Sequence, residues 1–165
     1  MSDLPKITGS IAVTVADFTF RPPSDGENFV LTARQLWYGA HVLAERRVET
    51  ALPGALLAAQ ALEGGLKALL WTTGRAASEL SKKPFGHDLN ALWEAAANVG
   101  VMSNSPPDWC ECLNALHAPP FRGRYPSGLN GFVAPHAKQV VIDIDQVLSL
   151  AEGAVKAAPW RKPGA

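Results

Sequence analysis

The chain has few cysteines and no net charge, and each of these shortages excludes a class of protein. It contains only two cysteines, Cys110 and Cys112. A helix would point side chains two residues apart in different directions, so a disulfide between them is not expected. The 15 basic residues are balanced by 15 acidic ones, which argues against a strongly basic nucleic-acid-binding surface. A reduced, cytoplasmic protein is therefore the expectation.

Neither a leader nor a membrane-spanning segment is expected from the sequence. The opening MSDLPKITGS has no basic segment followed by an apolar run, so no secretory signal is expected. The uncharged stretch 51–62 is interrupted by Glu63 and Lys67, well short of the ~20 apolar residues that span a membrane. Neither a glycine-rich phosphate loop nor a serine nucleophile elbow is present.

The residues that are present favour a helical protein with one core. Hydrophobic residues make up 47% of 165 positions, enough for a single domain. Helical spacing of apolar residues predicts an all-α, up-and-down bundle of about five helices over residues 28–158. The helices are expected at about 28–49, 53–74, 87–97, 105–118 and 136–157. Residues 1–27 are predicted to form an arm, either extended or with one short strand at 9–20, and residues 159–165 are predicted to form a frayed tail.

The second predicted helix carries an acid inside its apolar seam. Leu56, Ala59, Glu63, Leu66 and Leu70 follow steps of three and four, which places Glu63 on a buried face. Lys67 follows one turn later, where it can form a helical ion pair with Glu63. A buried carboxylate needs a cationic partner. We expect a pair that ties this helix to Arg122 or Arg124, or a charge that tunes a binding site.

Two further stretches carry candidate binding residues. His87 and Asp88 begin a helix just after Gly86, where the positive helix terminus attracts anions such as phosphate. The alternative is that both residues only cap that helix. Arg122, Arg124 and Tyr125 lie in the Gly- and Pro-rich segment 119–135, where they could bind phosphate or stack on a base. The alternative is that Arg124 pairs with Glu63 while Tyr125 packs the loop onto the bundle.

These motifs resemble the HEPN domain (higher eukaryotes and prokaryotes nucleotide-binding). The resemblance combines E-x-x-x-K-x-L-L from Glu63, G-H-D-L-x-x-L-W from Gly86 and R-Y-P from Arg124, and it covers about residues 29–158. It implies a helical bundle that usually forms a homodimer. The family includes ribonucleases, nucleotide binders and proteins with no known chemistry, so the resemblance does not define an activity.

The arginine–histidine motif of HEPN ribonucleases is absent from the last predicted helix. Arg34 and His41 have the right separation, but they lie in the first helix, where chance explains them better. His87 with Arg124 is the other combination that could converge across a dimer. The leading hypothesis is a non-catalytic protein that binds a nucleotide, a small ligand or a partner protein. The alternatives are a metal-independent ribonuclease and a purely structural dimerisation module.

A metal site is not expected from the sequence. Cys110, Cys112, His117 and His136 are the potential ligands, but C-x-C is not the usual zinc spacing, and the four straddle a helix and a long loop. No cofactor is expected either.

Overall fold

Six helices make up the protein, in a computed structural model that describes residues 21–46, 50–102, 105–125, 131 and 133–164. They are α1 (Asp25–Ala44), α2 (Ala51–Thr72), α3 (Ala77–Leu80), α4 (Leu89–Asn98), α5 (Asp108–His117) and α6 (Ala137–Ala157). The structure is 66% helical, and no strand occurs in the described ranges. The predicted all-α bundle is confirmed. The predicted strand at 9–20 lies outside the described residues.

Helix α2 is the centre of the bundle. It packs against α1, α4, α5 and α6, and Leu62, Leu66 and Leu69 are completely buried. A helix that is apolar on nearly all sides belongs in a core. None of the helices in the described ranges combines the length and the apolarity that crossing a membrane requires. The charged pair on α2 is therefore carried by the most enclosed element of the fold.

Helix α1 begins earlier than the sequence prediction placed it. Ser24 accepts a hydrogen bond from the Glu27 backbone, and the Glu27 carboxylate accepts one from the Ser24 backbone at 2.7 Å. This reciprocal capping box satisfies amides that would otherwise lack partners at the helix start. The S-x-x-E pattern is present in the sequence, and the predicted helix start at about residue 28 is three residues too late.

Helices α1 and α2 approach closely at Gly64. A Cβ atom on Gly64 would lie 2.8 Å from the Ala33 Cβ and 3.1 Å from the Phe29 carbonyl oxygen. Ala33 and Ala40 are each only 1% exposed, so these small residues serve packing inside the chain. The close contact places α1 directly beside Glu63.

The C-terminal segment packs onto the bundle, contrary to the predicted frayed tail. The Arg161 guanidinium lies 4.0 Å from the centre of the Trp71 ring, and the Trp160 indole donates to the Pro22 carbonyl at 3.3 Å. These contacts join the end of the chain to α2 and to the residues before α1. A second correction concerns α5, which begins at Asp108, three residues after the predicted start at 105.

Candidate functional site

A single carboxylate, that of Glu63, is contacted by a lysine and two histidines. Lys67 Nζ donates to Glu63 Oε1 at 2.6 Å. Glu63 Oε2 lies 3.0 Å from His87 Nδ1 and 2.5 Å from His117 Nε2. The Glu63 side chain is only 12% exposed, so these partners replace most of its hydration. We call these four residues the Glu63 cluster.

Three separate parts of the fold deliver the members of the Glu63 cluster. Lys67 stands one turn after Glu63 on α2, and its side chain is 8% exposed. His117 is the last residue of α5 and its side chain is completely buried. His87 immediately precedes the N-cap of α4, and its side chain is 44% exposed. The cluster is closed on the α5 side and open at His87.

The cluster keeps Glu63 ionised. Burial alone would raise the pKa of the carboxyl, but the hydrogen bonds from His117 and Lys67 outweigh it and lower the pKa from 4.5 to about 2. Hydrogen bonding to the charged form favours that form. The site therefore carries a buried negative charge throughout the neutral range.

The Glu63 carboxylate should contribute stability that depends on pH. A depressed pKa stabilises the fold above the unfolded value and loses that effect as the pH falls. We expect the stability advantage of the wild type over Glu63→Gln to be constant above about pH 5, and to decline between the pKa values of 4.5 and about 2. Urea denaturation across a pH series measures it. An advantage that does not change through this window would contradict the ionised, hydrogen-bonded carboxylate.

A groove runs from the Glu63 cluster along α1. Its volume is about 440 Å³. Its charged lining consists of Glu63, Lys67, His87 and Arg124, and the remainder is Asn28, Phe29, Thr32, Ala33, Leu36, Gln60 and Gly64. The rings of His87 and Phe121 meet edge-on at 5.4 Å, and the Arg124 guanidinium lies 5.5 Å from the same phenyl ring. The Phe121 ring thus contacts both His87 and Arg124 at the open end.

The predicted arginine partner of Glu63 is wrong. Lys67 and the two histidines occupy the carboxylate, while Arg124 takes part in no ion pair within the described residues. Arg122 and Tyr125 are exposed and do not line the groove. Of the three candidates from the loop, the fold brings only Arg124 to Glu63's groove.

Asp88 performs a capping role. Its carboxylate accepts hydrogen bonds from the Asn90 and Ala91 backbone amides, each at 3.1 Å. The Asn114 side-chain NH2 group also donates to it at 3.2 Å, and the Asn114 side-chain oxygen Oδ1 accepts from the Leu89 backbone amide at 2.8 Å. These bonds fix the start of α4 against α5. Asp88 therefore helps to hold His87 in position, and it does not line the groove.

Sequence reasoning missed His117 as a partner of Glu63. Cys110, Leu113 and His117 are all buried and stand three and four residues apart, which is the spacing of one helix face. A histidine on a buried face needs a polar partner, and so does a glutamate in an apolar seam. Pairing His117 with Glu63 would satisfy both side chains. The two residues are far apart in the sequence, however, so no local spacing indicates that they meet.

Arg34 and His41 do not form a site. Arg34 donates to Asp145 and, at 2.7 Å, to Glu152, which ties α1 to α6. The His41 ring stacks on Trp37 with 5.2 Å between ring centres. Arg34 is held in ion pairs and His41 in a ring contact, so their combination as a catalytic pair gains no geometric support.

A larger cavity of about 690 Å³ lies elsewhere, between α1, α2 and the start of α6. Its lining is mostly small and apolar, with Arg46, His136 and Lys138 among the polar residues. The groove is smaller, but it carries the convergent polar groups that define ligand sites.

No family model matches this chain, and no match was found among the curated proteins or the solved structures.

Proposed function

We propose that the protein is a non-catalytic, HEPN-like helical protein that binds a small anionic ligand of the nucleotide class in the groove beside Glu63. One observation supports this proposal above the others. Glu63, Lys67, His87 and Arg124, each selected from the sequence as a candidate binding residue, line the same groove. They come from three segments of the chain, so their convergence is a property of the fold.

The groove has two chemically different ends that suit a nucleotide. At the open end, the Arg124 guanidinium can form paired hydrogen bonds with a phosphate, beside the partly exposed His87. Along α1, Phe29 and Leu36 offer an apolar wall for a base. Thr32 and Gln60 add hydrogen-bonding groups to the lining. The volume of about 440 Å³ falls in the range of small-molecule sites.

Adenosine monophosphate is a suitable probe of this proposal, with binding measured by titration calorimetry. Arg124→Ala should weaken binding at least tenfold, because a charge-assisted hydrogen bond contributes about 1.5–3 kcal/mol. Arg122→Ala is the matched control. Arg122 is an exposed arginine two residues away that does not line the groove, so its removal should leave the affinity unchanged. Equal losses in both variants would indicate non-specific attraction and contradict the proposal.

The groove also gives the ribonuclease alternative a specific basis. His87 and Arg124 line it together, and Glu63 holds His87 Nδ1 at 3.0 Å, as a carboxylate orients a catalytic histidine. We expect no cleavage of single-stranded RNA by the purified protein. Cleavage that disappears in both His87→Ala and Arg124→Ala would replace the binding proposal with this second function.

We also propose a homodimer formed through the outer face of α1. Leu31, Tyr38 and Val42 are 60%, 55% and 57% exposed, and they follow each other at seven and four residues, on one helix face. Closed two-fold pairing is the commonest way to bury such a face. Sedimentation at micromolar concentration should give twice the 17.6 kDa chain mass.

Tyr38→Glu should convert that dimer to a monomer, because it places a charge at the centre of the apolar face. Val133→Glu is the control, since Val133 is 77% exposed and lies outside the helices. A wild type that sediments as a single 17.6 kDa species would exclude the dimer. A purely structural dimerisation module would pair but bind no nucleotide.

A further inference from the structure

Within the described part of the chain, one group of three potential metal ligands converges. Glu63 Oε2, His87 Nδ1 and His117 Nε2 all lie within 4.8 Å of one another. We propose that these three atoms form a binding site for a divalent first-row transition metal ion, zinc in the first place. This inference goes beyond the proposed nucleotide binding, and it is tested with the metal alone.

Glu63 Oε2 lies slightly nearer to each histidine nitrogen than two ligands of one zinc ion usually lie, and all three donor atoms fall within 4.8 Å of one another. Zinc binds histidine nitrogen and carboxylate oxygen at about 2.0–2.2 Å, so neighbouring tetrahedral ligands lie roughly 3.3 Å apart. Glu63 Oε2 is 3.0 Å from His87 Nδ1 and 2.5 Å from His117 Nε2. Small outward movements of the three side chains would admit an ion between these atoms, in place of the two hydrogen bonds that now meet at Glu63 Oε2.

The proton arrangement of the two histidines can change to suit a metal. Each ligating nitrogen must present a lone pair, so the single N–H proton of each neutral ring moves to its other nitrogen. His117 Nδ1 is buried and has no hydrogen-bond partner in the described structure. No described group donates a hydrogen bond to His117 Nδ1, so this nitrogen can carry the N–H proton that leaves Nε2. His87 is 44% exposed, and solvent can reach its ring.

The other carboxylate oxygen already has a partner. Lys67 Nζ occupies Glu63 Oε1 at 2.6 Å, which leaves Oε2 as a single ligand atom. Three protein ligands leave a fourth zinc position for water or substrate, on the side of His87 and the groove. Two imidazoles and one carboxylate favour zinc, cobalt, nickel or iron over magnesium or calcium, which prefer oxygen ligands.

Zinc titration of chelator-treated full-length protein, followed by calorimetry, tests the proposal. We expect one ion per chain, and an absorption band in the visible region when cobalt is added instead. His87→Ala should weaken zinc binding at least a hundredfold. His87 is the exposed ligand of the three, so this variant is the one best suited to keep the fold, which circular dichroism verifies.

The matched controls are the other two histidines of the four in the chain. His41→Ala and His136→Ala should bind zinc like the wild type, and so should the double variant Cys110→Ser, Cys112→Ser. Failure of the wild type to bind either zinc or cobalt at one ion per chain would overturn the proposal, as would unchanged binding in His87→Ala. Either result leaves nucleotide binding through Arg124 standing, because that binding is measured without metal.

Discussion

Glu63→Ala is expected to lower the free energy of unfolding by about 3 kcal/mol, because breaking a buried ion pair leaves an uncompensated charge. Lys67, with a side chain 8% exposed, and the fully buried His117 would both lose their partner. Urea denaturation monitored by circular dichroism gives the change from the midpoint and slope.

Glu45→Ala is the matched control for this loss. Glu45 also pairs with a lysine, Lys138, at 2.8 Å, but its side chain is 58% exposed. Ion pairs in water contribute little to stability, so the midpoint should not change measurably. Equal midpoints for Glu63→Ala and Glu45→Ala would mean that Glu63 is solvated, and the buried cluster would have to be abandoned.

Gly64→Val should destabilise the protein by about 3 kcal/mol, at the upper end of what overpacking usually costs. Even the first atom of the new side chain would lie 2.8 Å from the Ala33 Cβ and 3.1 Å from the Phe29 carbonyl oxygen. The neighbouring atoms belong to or adjoin the backbone of α1, so they cannot rotate away. The two helices would have to separate beside the groove.

The same substitution at Gly153 controls for the effect of valine on a helix. Gly153 lies within α6 and is exposed, and a Cβ there would meet no atom within 4 Å. Valine is no worse than glycine in a helix, so stability should not fall. A loss at Gly153 as large as that at Gly64 would show that valine, rather than helix contact, causes the effect. Thermal midpoints of the two variants decide between these causes.

Local spacing in the sequence predicted most of the fold and half of the cluster. Apolar steps of three and four placed Glu63 in a buried seam, and the i+4 spacing identified Lys67 as its partner. Both expectations concern neighbours on one helix, where geometry follows directly from sequence separation. The position of α1 was predicted less well, because the Ser24–Glu27 capping box was not recognised.

The long-range partner could not be predicted in the same way. His117 stands 54 residues after Glu63, and only the packing of α5 against α2 brings their side chains together. The sequence offered several cations for a buried carboxylate, and arginine was preferred for its bidentate geometry. The fold instead placed two imidazoles there and left Arg124 over Phe121. Which polar group reaches a buried acid depends on helix packing, which spacing along the chain does not specify.

Nucleotide binding in the groove is tested most directly by two-dimensional NMR spectra that follow the ring signals of the histidines during titration with adenosine monophosphate. The chain has only four histidines, so each can be assigned with a single substitution. Binding in the groove should give a saturable shift of His87, which lines the groove, and no shift of His41 or His136, which are not part of its lining. A shift of His136 with none at His87 would place the ligand in the larger cavity. Either that result or the absence of any shift at millimolar nucleotide would contradict binding in the groove.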